Sequence, residues 1–156
     1  LIRQIAPVLD IIWTKINERR EIIMAQMIFF SQLSYNCVLM NKEYDLTKDI
    51  INIGRADTND IVIPNDVLFK QLSSDLQAAL RNELKRVSRL HAIITRKEGK
   101  WYVEDVGIKG LGSKYGTFVN GMKIDSRKPC LLHDQDKISF GPIECFFSEK
   151  ETVESR

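Results

Sequence analysis

The chain is predicted to be mostly β, a sandwich of short strands with an amphipathic helix at its N-terminal end and a helix inserted midway. Three observations predict this. From Leu33 onward, short apolar-rich runs alternate with turn-forming Asn, Asp and Lys. Helical periodicity is confined to two stretches. Three polar motifs, Gly54-Arg55, Ser88-Arg89-Leu90-His91 and Tyr115-Gly116-Thr117-Phe118-Val119-Asn120-Gly121, stand about thirty residues apart. They converge only if strands return repeatedly to one end of a compact domain, where the loops of a sandwich gather its binding residues.

In residues 1–26, Ile2, Ile5, Leu9, Ile12, Ile16 and Ile23 recur at steps of three and four, interrupted by Arg19, which predicts an amphipathic helix beginning near Pro7. A sandwich needs no such helix for its own core. The stripe is therefore expected to pack on the domain, on a missing partner or on a second copy, with a homodimer through residues 1–26 as one outlet. Residues 1–30 are read as an extension, 31–148 as the domain and 149–156 as a charged, frayed tail. Strands are expected at Tyr35–Asn41, Ile50–Gly54 and Asp60–Ile63.

Residues 65–87 carry the second helical pattern, with Leu68, Leu72, Leu76, Leu80 and Leu84 every four residues and Ser73 as a cap. Its end is basic, with Arg81, Lys85, Arg86 and Arg89. Such a cluster is either a solvated helical face or an attractor for acidic residues flanking a phosphorylated site. Leu90–Thr95 and Lys100–Asp105 read as a hairpin about Glu98-Gly99, and the glycines of Val106–Gly112 as a flexible rim. Ile143–Phe147 is expected to be the last strand.

Composition narrows the partners. The 23 basic and 21 acidic residues nearly cancel, which argues against a dedicated nucleic-acid or membrane surface, and no apolar run reaches 18 residues. Cys37, Cys130 and Cys145 lack CxxC spacing and the two histidines form no ligand cluster, so neither a disulfide framework, a metal site nor a cofactor is implied. A reducing nuclear or cytosolic setting fits. Starting at Leu1, the sequence is expected to be part of a longer polypeptide.

The motif residues suit an anion. An arginine at a strand end offers phosphate a planar fork of donors, and a hydroxyl with nearby amides completes the shell, which makes Arg55, Ser88, Arg89 and Lys114 the phosphate candidates. His91, with Ser88 and Asp105, could be drawn as a catalytic triad, but no nucleophile-elbow sequence surrounds Ser88. Thr117 and Asn120 look like loop framework.

The order Gly-Arg, Ser-x-x-His, Gly-Thr-x-x-Asn resembles the forkhead-associated (FHA) domain over about residues 35–148. The resemblance implies an FHA-type sandwich of about eleven strands and a non-enzymatic module whose partner is a phosphothreonine-containing protein or peptide, preferred over phosphoserine. Leu131–Gly141 then resembles the family's closing hairpin. Carried over residue by residue, Arg55, Ser88, Arg89, Lys114, Tyr115 and Asn120 would bind the phosphopeptide, while Gly54, His91, Gly116 and Thr117 would support the site. The setting implied is a signalling, DNA-damage-response or checkpoint protein in the nucleus. One departure stands out: the family usually has Asn before the Gly-Thr pair to hold the peptide backbone, and this chain has Tyr115. Two alternatives are a helix-mediated dimerisation or scaffold module with vestigial phosphopeptide binding, and a regulatory fragment of a checkpoint kinase. The chain itself has neither the His-Arg-Asp nor the Asp-Phe-Gly motif of a kinase.

Overall fold

Period-two burial builds the two layers. Ile51 and Ile53 point inward from the strand Ile50–Gly54, Ala92 and Ile94 from Ala92–Lys97, and Trp101 and Val103 from Lys100–Asp105. A computed structural model describes residues 20–29 and 39–154 of the chain. Eleven strands occur among them: β1 (Arg20–Ile28), β2 (Glu43–Asp45), β3 (Ile50–Gly54), β4 (Ile61–Val62), β5 (Ala92–Lys97), β6 (Lys100–Asp105), β7 (Thr117–Val119), β8 (Met122–Lys123), β9 (Cys130–Leu131), β10 (Lys137–Phe140) and β11 (Ile143–Glu154). They form two sheets, ordered β2-β1-β11-β10-β7-β8 and β4-β3-β5-β6-β9. Pairing is antiparallel except between β3 and β4. Met27, Ile138, Phe140, Ile143, Cys145 and Phe147 of the first sheet close on Ile51, Ile53, Ile94, Trp101 and Val103 of the second. The predicted FHA-type sandwich is therefore the observed architecture.

The N-terminal prediction needs correction. Residues 20–26, assigned to the helix, lie in β1, which pairs with β11 from Arg20↔Glu154 to Ile28↔Phe146. Residues 1–19 lie outside the described residues. Ala25, Met27 and Phe29 are buried at a spacing of two, a strand signal that begins where the isoleucine stripe ends. Pairing with a distant strand overrides the local helical pattern. The sandwich thus starts before the expected boundary at residue 31, and residues 20–26 serve the sheet rather than a helical interface. At the other end, β11 runs on to Glu154 instead of stopping at Phe147, because β1 supplies a backbone ladder that is indifferent to charged side chains. Tyr35–Asn41 is not a strand in its described part. Leu39 has helical geometry and its carbonyl accepts from the Asn65 amide at 2.7 Å, while residues 35–38 lie outside the described residues.

The insertion is two helices where one was expected: α1 (Asp66–Lys70) and α2 (Ser74–Leu84). Each has its own cap, Asn65 accepting from the Leu68 amide and Ser73 from the Leu76 amide, so the break falls where Ser73 turns its hydroxyl to the chain. Only the later leucines, Leu80 and Leu84, are buried, whereas Leu76 is exposed. Phe69 and Leu72 pack against the core from the side. The insertion leans on the sandwich by one edge and leads through Val87 into Ser88.

Candidate functional site

Three loops meet beyond the ends of β3, β6 and the insertion. Arg55 follows β3, and its amide donates to the Ser88 carbonyl at 3.0 Å, as the Ala56 amide does to Arg89 at 3.0 Å. Gly54 makes that crossing feasible: a Cβ there would stand 2.9 Å from the Ser88 carbonyl oxygen and still closer to that of Arg89. The Asn59 side chain ties the same loops, donating to the carbonyls of Ala56 at 2.8 Å and Arg89 at 2.7 Å. Asn59 carried no motif signal in the sequence. Its clamp depends on where two distant loops meet.

Arg55 is exposed, and its Nε donates to the Val87 carbonyl at 3.1 Å. That bond orients the guanidinium and leaves both terminal nitrogens without a partner among the described residues. Ser88 is held from two sides. Its Oγ accepts from the Lys114 amide at 3.1 Å, and its own amide donates to His91 Nδ1 at 3.0 Å. The hydroxyl proton of Ser88 therefore remains available for an anion.

Because His91 Nδ1 accepts, its proton sits on Nε2, which donates to the Gly116 carbonyl at 2.8 Å. The ring is fully buried, edge-on to Phe140 at 5.8 Å. Burial holds its pKa below the ordinary histidine value, against the raising effects of the Gly116 bond and of Asp105. His91 meets Ser88 through the backbone amide, not the hydroxyl, so the contact that would activate a nucleophile is absent. It is a strut between the Ser88 and Gly116 loops.

The second strut is Asp105, which the sequence offered only as the third member of a triad. Its buried carboxylate accepts from the Ser113 amide at 3.0 Å, the Ser113 hydroxyl, the Thr117 hydroxyl at 2.7 Å and the Ser126 hydroxyl at 3.4 Å. Ser113 Oγ in turn accepts from the Gly116 amide at 2.9 Å. These bonds fold residues 113–116 into a fixed turn, with Gly116 at φ 91°, a left-handed conformation suited to glycine. The turn presents Lys114 and Tyr115 to solvent, the Lys114 ammonium lying 5.4 Å from the centre of the Tyr115 ring.

The residues singled out in the sequence sort into two groups. Arg55, Ser88, Arg89, Lys114 and Tyr115 lie on the convergent loops, and Gly54, His91, Gly116 and Thr117 lie beneath them. Asn120 is placed differently: at φ 51° in the β7–β8 turn, it donates through Nδ2 to Asp136 at 2.9 Å and accepts from the Lys137 amide at 3.0 Å. Its amide fastens the closing hairpin. Among the described residues no group of His, Cys, Asp or Glu could hold a metal ion. Burial pushes the Cys130 and Cys145 thiols up, away from thiolate chemistry. An exposed guanidinium and a serine hydroxyl, each with donor capacity left over and with Arg89 and Lys114 on the same loops, are groups whose chemistry suits a dianion.

The sequence profile of the FHA domain matches residues 51–141. Over 68 residues, 43% of this chain, the sequence is 41% identical to nibrin of Danio rerio, and over 105 residues, 67% of this chain, it is 33% identical to an ABC transporter ATP-binding/permease protein of Mycobacterium tuberculosis. The chain spans 8% and 9% of the lengths of these relatives. Among solved structures, the FHA domain of a hypothetical Arabidopsis thaliana protein superposes with a TM-score of 0.58 at 19% identity, over 85% of this chain and 91% of that one. EmbR of Mycobacterium tuberculosis, solved with a low-affinity phosphopeptide, superposes with a TM-score of 0.54 at 24% identity, over 80% of this chain and 24% of that one.

Proposed function

Because this chain belongs to the FHA-domain family, we propose that it is a phosphothreonine-dependent peptide receptor within a nuclear signalling or DNA-damage-response protein. The observation that carries the reading is the pairing of Arg55 with Ser88: a guanidinium held by Val87 and a hydroxyl held by Lys114, each with donor capacity left over. The sharing of sequence with nibrin supports the DNA-damage setting, and the phosphopeptide seen with EmbR supports the ligand class. Arg55 and Ser88 take the phosphate oxygens, with Arg89 and Lys114 adding charge from the rim. Tyr115 stands where the family's usual Asn would clamp the peptide backbone, and its exposed phenol can donate to a backbone carbonyl in that place.

The test is a calorimetric titration of one peptide in threonine, phosphothreonine and phosphoserine forms against the wild type and Arg55→Ala. Each hydrogen bond to a charged group contributes about 1.5 to 3 kcal/mol, so loss of Arg55 weakens phosphothreonine binding by roughly tenfold or more. The threonine methyl adds about 0.8 kcal/mol over phosphoserine where it finds an apolar notch. Unchanged affinity in folded Arg55→Ala, or equal binding of the unphosphorylated peptide, refutes the reading.

A further inference from the structure

An open groove of about 880 Å³ runs between the two inserted helices and the Arg55 loop. Its apolar part includes Pro64, Phe69 and Leu84, and its cations include Arg55, Arg81 and Lys85. The insertion creates it. With Leu80 and Leu84 turned into the core, Arg81 on α2 and Lys85 at its C-terminal cap, four residues apart, share an exposed face on the groove, and Arg81 lies 5.7 Å from the centre of the Phe69 ring.

The charges in the groove are not balanced. Asp60 is taken by the Asn52 amide at 2.8 Å and by Lys48 at 2.7 Å, and Asp66 by Lys70 at 2.9 Å. Asp57 is then the lining carboxylate without a partner among the described residues, against Arg55, Arg81 and Lys85, none of which has an ion-pair partner there. The basic residues at the end of α2 are thereby sorted. Arg86 pairs with Glu83 and does not line the groove, whereas Arg81 and Lys85 do. Arg55 belongs to both the groove and the candidate phosphate site, so the two are one continuous surface.

We infer that this groove takes the stretch of the phosphopeptide continuing from the phosphothreonine, and selects an acidic residue facing Arg81 and Lys85 with an apolar one against Pro64 and Phe69. The inference rests on the phosphothreonine reading above. A phosphate on Arg55 brings the flanking peptide to the groove mouth, where a carboxylate meets cations that hold no ion pair among the described residues and an apolar side chain packs on the solvent-facing edge of half-buried Phe69.

The experiment uses a peptide library with fixed phosphothreonine and degenerate flanks. The selected peptide is then titrated, beside one of equal length with alanine flanks, against the wild type, Arg81→Glu/Lys85→Glu and Arg86→Glu at about 150 mM salt. Both charge reversals in the double variant are on exposed residues. The library is expected to select Asp or Glu on one side of the phosphothreonine. The double variant then loses about tenfold for the selected peptide and much less for the alanine-flanked one, while Arg86→Glu leaves both nearly unchanged. The inference is overturned if no acidic preference emerges, or if the double variant weakens both peptides equally or neither. Should the alanine-flanked phosphopeptide bind the wild type and lose affinity in Arg55→Ala while acidic flanks add nothing, the groove fails and the phosphate site stands. If phosphorylation adds nothing to binding by the wild type, both fall.

Discussion

Thr117→Val isolates the Asp105 hub. The substitution keeps volume and β-branching but deletes the hydroxyl that donates to the buried Asp105 carboxylate at 2.7 Å. No cavity opens, so the cost is one lost hydrogen bond to a buried carboxyl oxygen, about 1 to 3 kcal/mol. Ser113 still donates to Asp105 twice, through its amide and its hydroxyl, which caps the loss near that range. For a domain of this size about 2 kcal/mol lowers Tm by roughly 6 to 10 °C. Urea denaturation followed by tryptophan fluorescence reports the free energy, since Trp101 is buried in the core beside Phe147. Thr95→Val, on β5 and half-buried, with no side-chain hydrogen bond among the described residues, is the control and should stay within about 0.5 kcal/mol of the wild type. If Thr117→Val unfolds at the same urea concentration as the wild type, Asp105 is not the anchor of the 113–117 turn and the account of the site's rigidity fails.

Lys114→Ala should weaken phosphothreonine-peptide binding less than Arg55→Ala, with a deficit that shrinks as salt rises, because an exposed ammonium on the rim is screened; an equal loss at every ionic strength contradicts this ranking. His91 couples stability to pH. Its native pKa is depressed, chiefly by burial, so the unfolded chain takes up a proton near its ordinary value while the native state does not, and the stability held above about pH 6.5 is lost as pH falls below it. Denaturation at pH 7.5 and 5.5 should show a larger drop in the wild type than in His91→Gln, and parallel drops would show that His91 is not held neutral. Gly54→Ala drives a methyl group against the carbonyls of Ser88 and Arg89 and should cost about 1 to 3 kcal/mol while weakening phosphopeptide binding in the folded fraction; a variant normal in both respects would show that the loops do not cross so closely.

The sandwich class, the β5–β6 hairpin, the cap at Ser73 and the gathering of Arg55, Ser88 and Lys114 were legible in the amino-acid order. Each is written in local signals: alternation within a strand, Glu98-Gly99 at a turn, a serine before a leucine repeat, and motif residues next to chain reversals. Tertiary structure alone decided the rest. Local periodicity could not show residues 20–26 as strand, because the ladder that holds them comes from β11 at the other end of the chain. Asp105 reads in the sequence only as the third member of a discounted triad until Ser113, Thr117 and Ser126 close around it, and Asn59 becomes a clamp only where the Arg55 and Ser88 loops touch. Asn120 likewise has the identity of a binding residue, but its amide is committed to Asp136 and Lys137. The four basic residues near the end of α2 look equivalent in the sequence, yet helix phase and the Glu83 pair turn Arg81 and Lys85 to the groove and hold Arg86 elsewhere. Residue type sets which bonds a side chain can form, and only the long-range packing of loops and sheets decides which of them it makes.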